Sequence, residues 1–404
     1  MKTSKHWPMT SLKDVAEIQT GLSKSAARQG KFVQLPYLRV ANVQDGHFDL
    51  TEIKEIDVPD DMVDRFRVRA GDVLLTEGGD FDKLGRGAVW QGQIRDCVHQ
   101  NHIFVVRPHP HKLDARFFAL QTQGPRGRAY FQSCSKQSTN LASINSTQLR
   151  QFPAAVPPLP EQRKIADILT TWDTALEKLD TLIAAKERRK KALMQQLLIR
   201  FSAKAGSTHA RHRLGDVFER VTRRNVTGDD NVLTISAQGG LVSQRDYFNR
   251  SVAGADLTNY YLLHRGEFAY NRSSSKGYPF GALKRLIAYD TGVVSTLYLC
   301  FRIKDEVTVS PEYISHYFES GHLNFGLRSI AKEGARAHGL LNVSADEFFD
   351  LDIFLPPVPK QRQIAIILEA CDKELRLLRT KRDSLDQQKR GLMQRLLTGK
   401  VRVR

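Results

Sequence analysis

The sequence predicts an α/β (α+β) protein: two globular units separated by two long helices that form an antiparallel coiled coil, the whole a pseudo-twofold internal repeat. Three observations predict it. A segment recurs at an offset of 199 residues. Each copy carries apolar residues at helical heptad spacing after a proline-rich stop. The segments between the helices hold short strand-like runs broken by polar loops. With 404 residues the chain has room for one to three domains, each able to bury its own core.

The repeat comes first because it fixes the domain plan. Residues 157–166 read PPLPEQRKIA and residues 356–365 read PPVPKQRQIA. The register holds without a gap to ALMQQLL at 192–198 and GLMQRLL at 391–397, and upstream over 141–158 against 340–357. The globular parts match more loosely: 12–17 with 214–219, 71–75 with 266–270, and 102–107 with 297–302. The predicted plan is a first unit at 1–155, a helix at 156–201, a linker at 202–211, a second unit at 212–355, and a helix with a tail at 356–404. The loops between the matched segments differ between copies, as expected of two readers of one kind with different targets.

The helices follow from punctuation and period. Pro160 and Pro359 suit a first helical turn, where the missing N–H costs nothing. The first seam is then Ile165, Leu169, Trp172, Leu176, Leu179, Ile183, Leu193 and Leu197. The second is Ile364, Leu368, Leu375, Leu378, Leu385, Leu392 and Leu396, with Cys371 in register. Lys186 and Lys190 interrupt the first seam, and Arg382 and Lys389 the second. Their stems cover apolar surface while the charge stays wet, or they face another partner. Gly391 and the 397–399 end are weak points for continuation. A helix of about 35–40 residues is roughly 55 Å long, and a linker of about ten residues spans at most about 35 Å. The economical arrangement is an antiparallel pair with one unit at each end.

Within the units, 37–40, 72–75 and 103–106 read as strands, as do 232–235, 268–270 and 296–303; 113–122 and 311–320 read as helices. The polar positions after these strands are the candidate nucleic-acid contacts. In the first unit they are Arg39, Asn42, Thr76, Glu77, Lys83, Arg86, Asn101, Lys136, Gln137, Ser138, Thr139 and Asn140. In the second they are Ser236, Gln238, Asn271, Arg272, Ser273, Ser274, Lys276, Tyr278, Arg336 and His338. Such side chains reach base edges, while Lys, Ser and backbone N–H groups hold phosphates. Glu77 suits a cytosine amine and Arg272 suits guanine. The net charge of +17 favours a polyanionic partner, double-stranded DNA here.

Several classes are set aside. Cys97, Cys134, Cys300 and Cys371 form no CxxC pair and no zinc spacing, and read as reduced thiols of a cytoplasmic protein. The first eight residues lack the apolar stretch of a signal peptide, and no run approaches the roughly 18 apolar residues that cross a bilayer. No NPPY-like or DPPY-like tetrapeptide, Gly-rich cofactor turn, Walker sequence or nuclease-type acid set occurs, so no catalytic and no metal-binding residue is expected.

On these motifs the chain resembles the specificity subunits of type I restriction–modification systems over nearly its full length. PPLPEQRKIADIL with its helix ending LMQQLL, and PPVPKQRQIAIIL with its helix ending LMQRLLTGKVRV, carry the likeness. The stretch 271–279 looks like one recurring target-recognition type, whereas the first unit matches none that can be named. The resemblance implies two target-recognition domains, each reading one half of a bipartite asymmetric site, and helices that dock two methyltransferase subunits. It implies restriction/translocase subunits in the full complex. S-adenosylmethionine, ATP and magnesium belong to those partners, and this chain holds no cofactor. The alternative reading is a coiled-coil structural adaptor in a nucleic-acid-associated complex, without base readout.

Overall fold

The computed structural model describes residues 7–23, 31–81, 84–137, 142–199, 210–236, 239–248, 256–275, 277–333, 339 and 341–403. The chain divides into two compact units: Met1–Asp180 with Thr380–Arg404, and Thr181–Arg379. Each unit therefore contains the start of one long helix and the end of the other. The long helices span Leu159–Met194 and Val358–Leu396; a π-helical turn at Gln195–Ile199 follows the first, and the second runs through Gly391.

The first unit is built on a four-stranded antiparallel sheet in the order Ala16–Thr20, Ile103–Pro108, Val73–Thr76, Gly87–Val89. The central strands are apolar on both faces, since Val73, Leu74, Leu75, Ile103, Val105 and Val106 are all buried. One face packs on the helices Ala115–Gln123 and Pro125–Cys134 through Phe104, Phe117, Phe118 and Phe131. The other covers Leu38, Val43 and Trp90. Burying such a side chain stabilises by about 1.5–3 kcal/mol. Gly87 sits where a Cβ would lie 1.9 Å from the Leu74 carbonyl oxygen, so the edge strand pairs there only with glycine.

The second unit repeats the sheet in the same order: Phe218–Val221, Leu299–Ile303, Phe268–Asn271, Ala282–Arg285, again antiparallel. Phe218, Phe268, Phe301, Phe318 and Phe348 form its aromatic core beside the helix Pro311–Glu319. The loose sequence matches are thus framework strands of one duplicated sheet. Sequence reading misses Ala16–Thr20 and Gly87–Val89, too short or too mixed to show a period.

The same buried turn starts both long helices. Gln162 is fully buried; its Oε1 accepts from Asp114 N–H at 2.8 Å, and its Nε2 donates to the Lys112 and Pro157 carbonyls. Gln361 does the same with Ser310 N–H, Thr308 O and Pro356 O. Asp114 and Ser310 are the N-caps of the short helices that pack on each sheet. The glutamine of each PEQR/PKQR motif therefore bolts a long helix to its own globular unit. In the first unit Glu161 also accepts both guanidinium arms of Arg402 and the Val403 N–H, fastening the tail to that helix start.

Ile165 and Leu169 join the first unit's core together with Met393, Leu396 and Leu397 from the end of the second helix. In the second unit Ile364 and Leu368 meet Leu198, with Leu193, Met194 and Leu197 packed alongside. The cations that interrupt the seams find partners across it. In the first unit Asp173 pairs with Lys389, and Asp180 with Arg382. In the second, Lys186 pairs with Glu374, Glu187 with Arg379, and Lys190 with Asp372. In the first unit one heptad forward on the first helix is one heptad back on the second, and in the second unit the partners of Lys186 and Lys190 also step back, from Glu374 to Asp372, so the segments run antiparallel within each unit.

Candidate nucleic-acid interface

In both units the sheet's second strand in sequence ends at a corner. There the chain passes from the sheet into a small ribbon. In the first unit Val73–Thr76 ends at Glu77, and Gly78–Gly79 then pairs with Ala142–Ser143, which pairs with Lys136–Gln137. Glu77 is clamped through its backbone: its N–H donates to His102 O at 3.0 Å, and its carbonyl accepts from Ile144 N–H at 2.9 Å. In the second unit Phe268–Asn271 ends at Arg272, whose carbonyl accepts from Leu341 N–H at 2.7 Å beside the ribbon Lys332–Glu333 and Leu341–Asn342.

The side chains at the two corners differ. Glu77 Oε2 lies 2.6 Å from His102 Nδ1, and both side chains reach solvent. Arg272 instead donates to Leu297 O through Nε and Nη2 and to Val343 O through Nη1. Its fork is engaged by the protein's own carbonyls.

Other expected contacts are also engaged in the framework. Asn42 is buried, caps Arg39 N–H, and donates to the Asp49 and Glu52 carbonyls. Arg39 donates to Glu52 O and pairs with its carboxylate. Thr76 is wholly buried. Tyr278 accepts from Lys284 Nζ and donates to Glu319 Oε2, both at 2.9 Å, and Lys284 also pairs with Glu319. Burial raises the Tyr278 phenol above its usual pKa, against the pull of Lys284. These four side chains, like that of Arg272, are thus engaged within the protein in this structure.

The remaining positions reach solvent. In the first unit Lys136 is exposed and Asn101 and Arg86 are half-buried. Arg86 opens into a cleft of about 370 Å³ lined also by Gln44, Asp45, His47, Gln123 and Arg128, in which Arg128 pairs with Asp45. In the second unit Ser274 is exposed, Asn271, Ser273 and Ser236 are half-buried, and Ser236 Oγ accepts from Gly239 N–H at 3.2 Å. Gln137 pairs in the ribbon through its backbone. Lys83, Ser138, Thr139, Asn140, Gln238, Lys276, Arg336 and His338 lie outside the described residues, as does most of the expected 202–211 linker. His102 was missed by sequence reading. Its signal is a polar residue opening an otherwise apolar framework strand, where the other copy has Leu297.

Among the described residues no group of three or more His, Cys, Asp or Glu side chains is placed to hold a metal, and no helix is long and apolar enough to cross a membrane. The four cysteines are free thiols, and burial pushes those of Cys97 and Cys300 up to about 12.

A duplicated sheet that offers two unlike polar corners on one framework defines a two-copy recognition protein. Residues 4–187 match the family model described as the type I restriction modification DNA specificity domain. That stretch, the first unit and most of its long helix, is similar to the DNA specificity domains of type I restriction–modification systems. The chain is 23% identical to a protein of Methanocaldococcus jannaschii described as the type I restriction enzyme MjaX specificity subunit, over 98% of this chain and 94% of that one. It is 24% identical to the EcoKI specificity subunit of Escherichia coli, over 42% of this chain and 37% of that one. The fold matches that of the HsdS subunit from Thermoanaerobacter tengcongensis, with a TM-score of 0.50 at 15% identity, covering 98% of this chain and 97% of that one. It also matches the type I S subunit from M. genitalium, with a TM-score of 0.54 at 13% identity, covering 98% and 97%.

Proposed function

We propose that each unit reads one half of a bipartite, asymmetric double-stranded DNA site, and that the two long helices, paired as one antiparallel coiled coil, set the spacing and dock two methyltransferase subunits. Restriction/translocase subunits complete the assembly, and S-adenosylmethionine, ATP and magnesium are bound by the partners. The observation that carries this reading is the duplicated sheet with unlike corners, Glu77–His102 in one unit and Asn271–Ser274 in the other. One framework with two chemistries calls for two different half-sites. Half-sites about one helical turn apart, roughly 34 Å, present the same groove face. The reading set proposed is Glu77, Arg86, Asn101 and Lys136 with Gln137–Asn140 and Lys83 in the first unit. In the second it is Ser236, Gln238, Asn271, Ser273, Ser274, Lys276, Arg336 and His338. Arg39, Asn42, Thr76, Arg272 and Tyr278 hold the loops that carry them.

The test is co-expression with a methyltransferase subunit, followed by sequencing of methylated genomic DNA. Methylation is expected at one split motif. Methylation at scattered adenines would overturn the reading.

A further inference from the structure

The two corners occupy one framework position and differ in one respect that bears on readout. In the second unit the corner side chain ties the corner together: the Arg272 guanidinium bridges the carbonyls of Leu297 and Val343. In the first unit the equivalent segments, at His102 and Ile144, are tied to Glu77 by backbone bonds, and the Glu77 side chain adds a single contact, to the His102 ring. The Glu77 side chain thus bridges no pair of carbonyls as Arg272 does. His102 Nδ1 fixes one carboxylate oxygen, and Oε1 makes no hydrogen bond among the described residues. Gly78 and Gly79 follow directly and add no side chain beside it.

A carboxylate on a DNA-facing corner is unfavourable beside phosphates unless it accepts a hydrogen bond there. In the major groove the hydrogens offered to an acceptor are those of the cytosine N4 and adenine N6 amines. Guanine and thymine present only acceptors at the matching edge and would be repelled.

We infer that Glu77 and His102 form a reading dyad: Glu77 accepts from the exocyclic amine of a cytosine or adenine in the first half-site, and His102 is the positioning residue that aims it. This rests on the proposed function of the first unit. It further assigns the second unit's discrimination to Asn271 and the serines after Arg272, because the corner residue there is held by its own backbone.

The test uses the full chain in complex with its methyltransferase subunits. Wild-type complex and the Glu77→Gln, Glu77→Ala and His102→Ala variants are compared by methylation motif and by affinity for duplexes substituted at each motif position. Both Glu77 variants are expected to lose about ten- to hundredfold discrimination at one position of one half-site. His102→Ala is expected to relax that same position less, and the other half-site should be unchanged. Whether the position is cytosine or adenine in the wild-type motif identifies the base. Discrimination unchanged at every position, or weakened uniformly at all of them, overturns the dyad. A wild-type complex without a split motif overturns the proposed function instead, so the two failures are distinguishable.

Discussion

Gln162 and Gln361 show how single buried side chains can carry a motif. Each sits within the duplicated stretch, is almost wholly inaccessible, and makes three hydrogen bonds to backbone groups. Truncation strands those groups, and each unsatisfied buried group costs about 1–3 kcal/mol. Gln162→Ala is expected to destabilise the first unit by about 3 kcal/mol, read as a lowered urea midpoint, whereas Gln162→Glu should cost more by burying a charge. The repeat made these positions visible, but not their purpose, because nothing in a sequence says which chain segment a glutamine will bolt. A second residue-scale effect is acid sensitivity. Burial holds His99, bonded through Nδ1 to Phe66 O, down to about 4, with Asp72 opposing and Arg107 assisting. Burial likewise holds His316 down to about 4, Lys190 assisting while Asp372 and Glu312 oppose. A histidine depressed in the fold binds its proton more readily when unfolded. Its stabilising effect is therefore complete above about pH 6.5 and is lost as the pH falls towards about 4, on the order of 3 kcal/mol for each. The unfolding midpoint should fall across that window, and His99→Gln should flatten part of the slope; an unchanged slope in that variant would contradict the assignment.

At the scale of elements, the long helices were the most legible part of the chain and the sheets the least. A period near 3.5 over ten turns accumulates signal, and PPLP and PPVP mark both starts. Framework strands of three to six residues do not, and Gly87–Val89 is recognised only by its pairing with Val73–Leu75. The cations that interrupt the seams are explained by their partners: Lys389, Arg382, Lys186 and Lys190 each meet a carboxylate from the opposite helix. Such pairs stabilise by less than about 1 kcal/mol each, so their role is register and not strength. The strength lies in Leu176 and Leu375, both buried. Leu176→Asp or Leu375→Asp puts an unpaired charge against the apolar seam at a cost of several kcal/mol. The expected outcome is loss of assembly with the methyltransferase subunit on size-exclusion chromatography. Normal methylation of the split motif by either variant would remove the helices from any role in spacing.

For the whole molecule, the duplication makes the strongest prediction, because it treats recognition as modular. The sheets, the glutamine bolts and the paired helices are common to both copies, and the corners and loops are not. Replacing residues 212–355 with the matching segment of another specificity subunit should leave the first unit's core untouched, since that core draws only on residues before 170 and after 391. The expected result is a new methylation motif in which one half and the spacing are retained and the other half is exchanged. The general affinity should survive the exchange in its salt dependence. With a net charge of +17, part of the binding comes from counterions released by phosphate contacts, and a complex making several such contacts loses affinity steeply between 50 and 200 mM salt, by about 10³–10⁵ for six to ten contacts. Measuring the duplex affinity of parent and exchanged complexes over that range separates the two contributions. Parallel salt slopes with different motifs would show that the framework holds the backbone while the corners read the bases. Two altered half-motifs, or binding that ignores both salt and sequence, would instead favour a protein that joins partners without reading DNA.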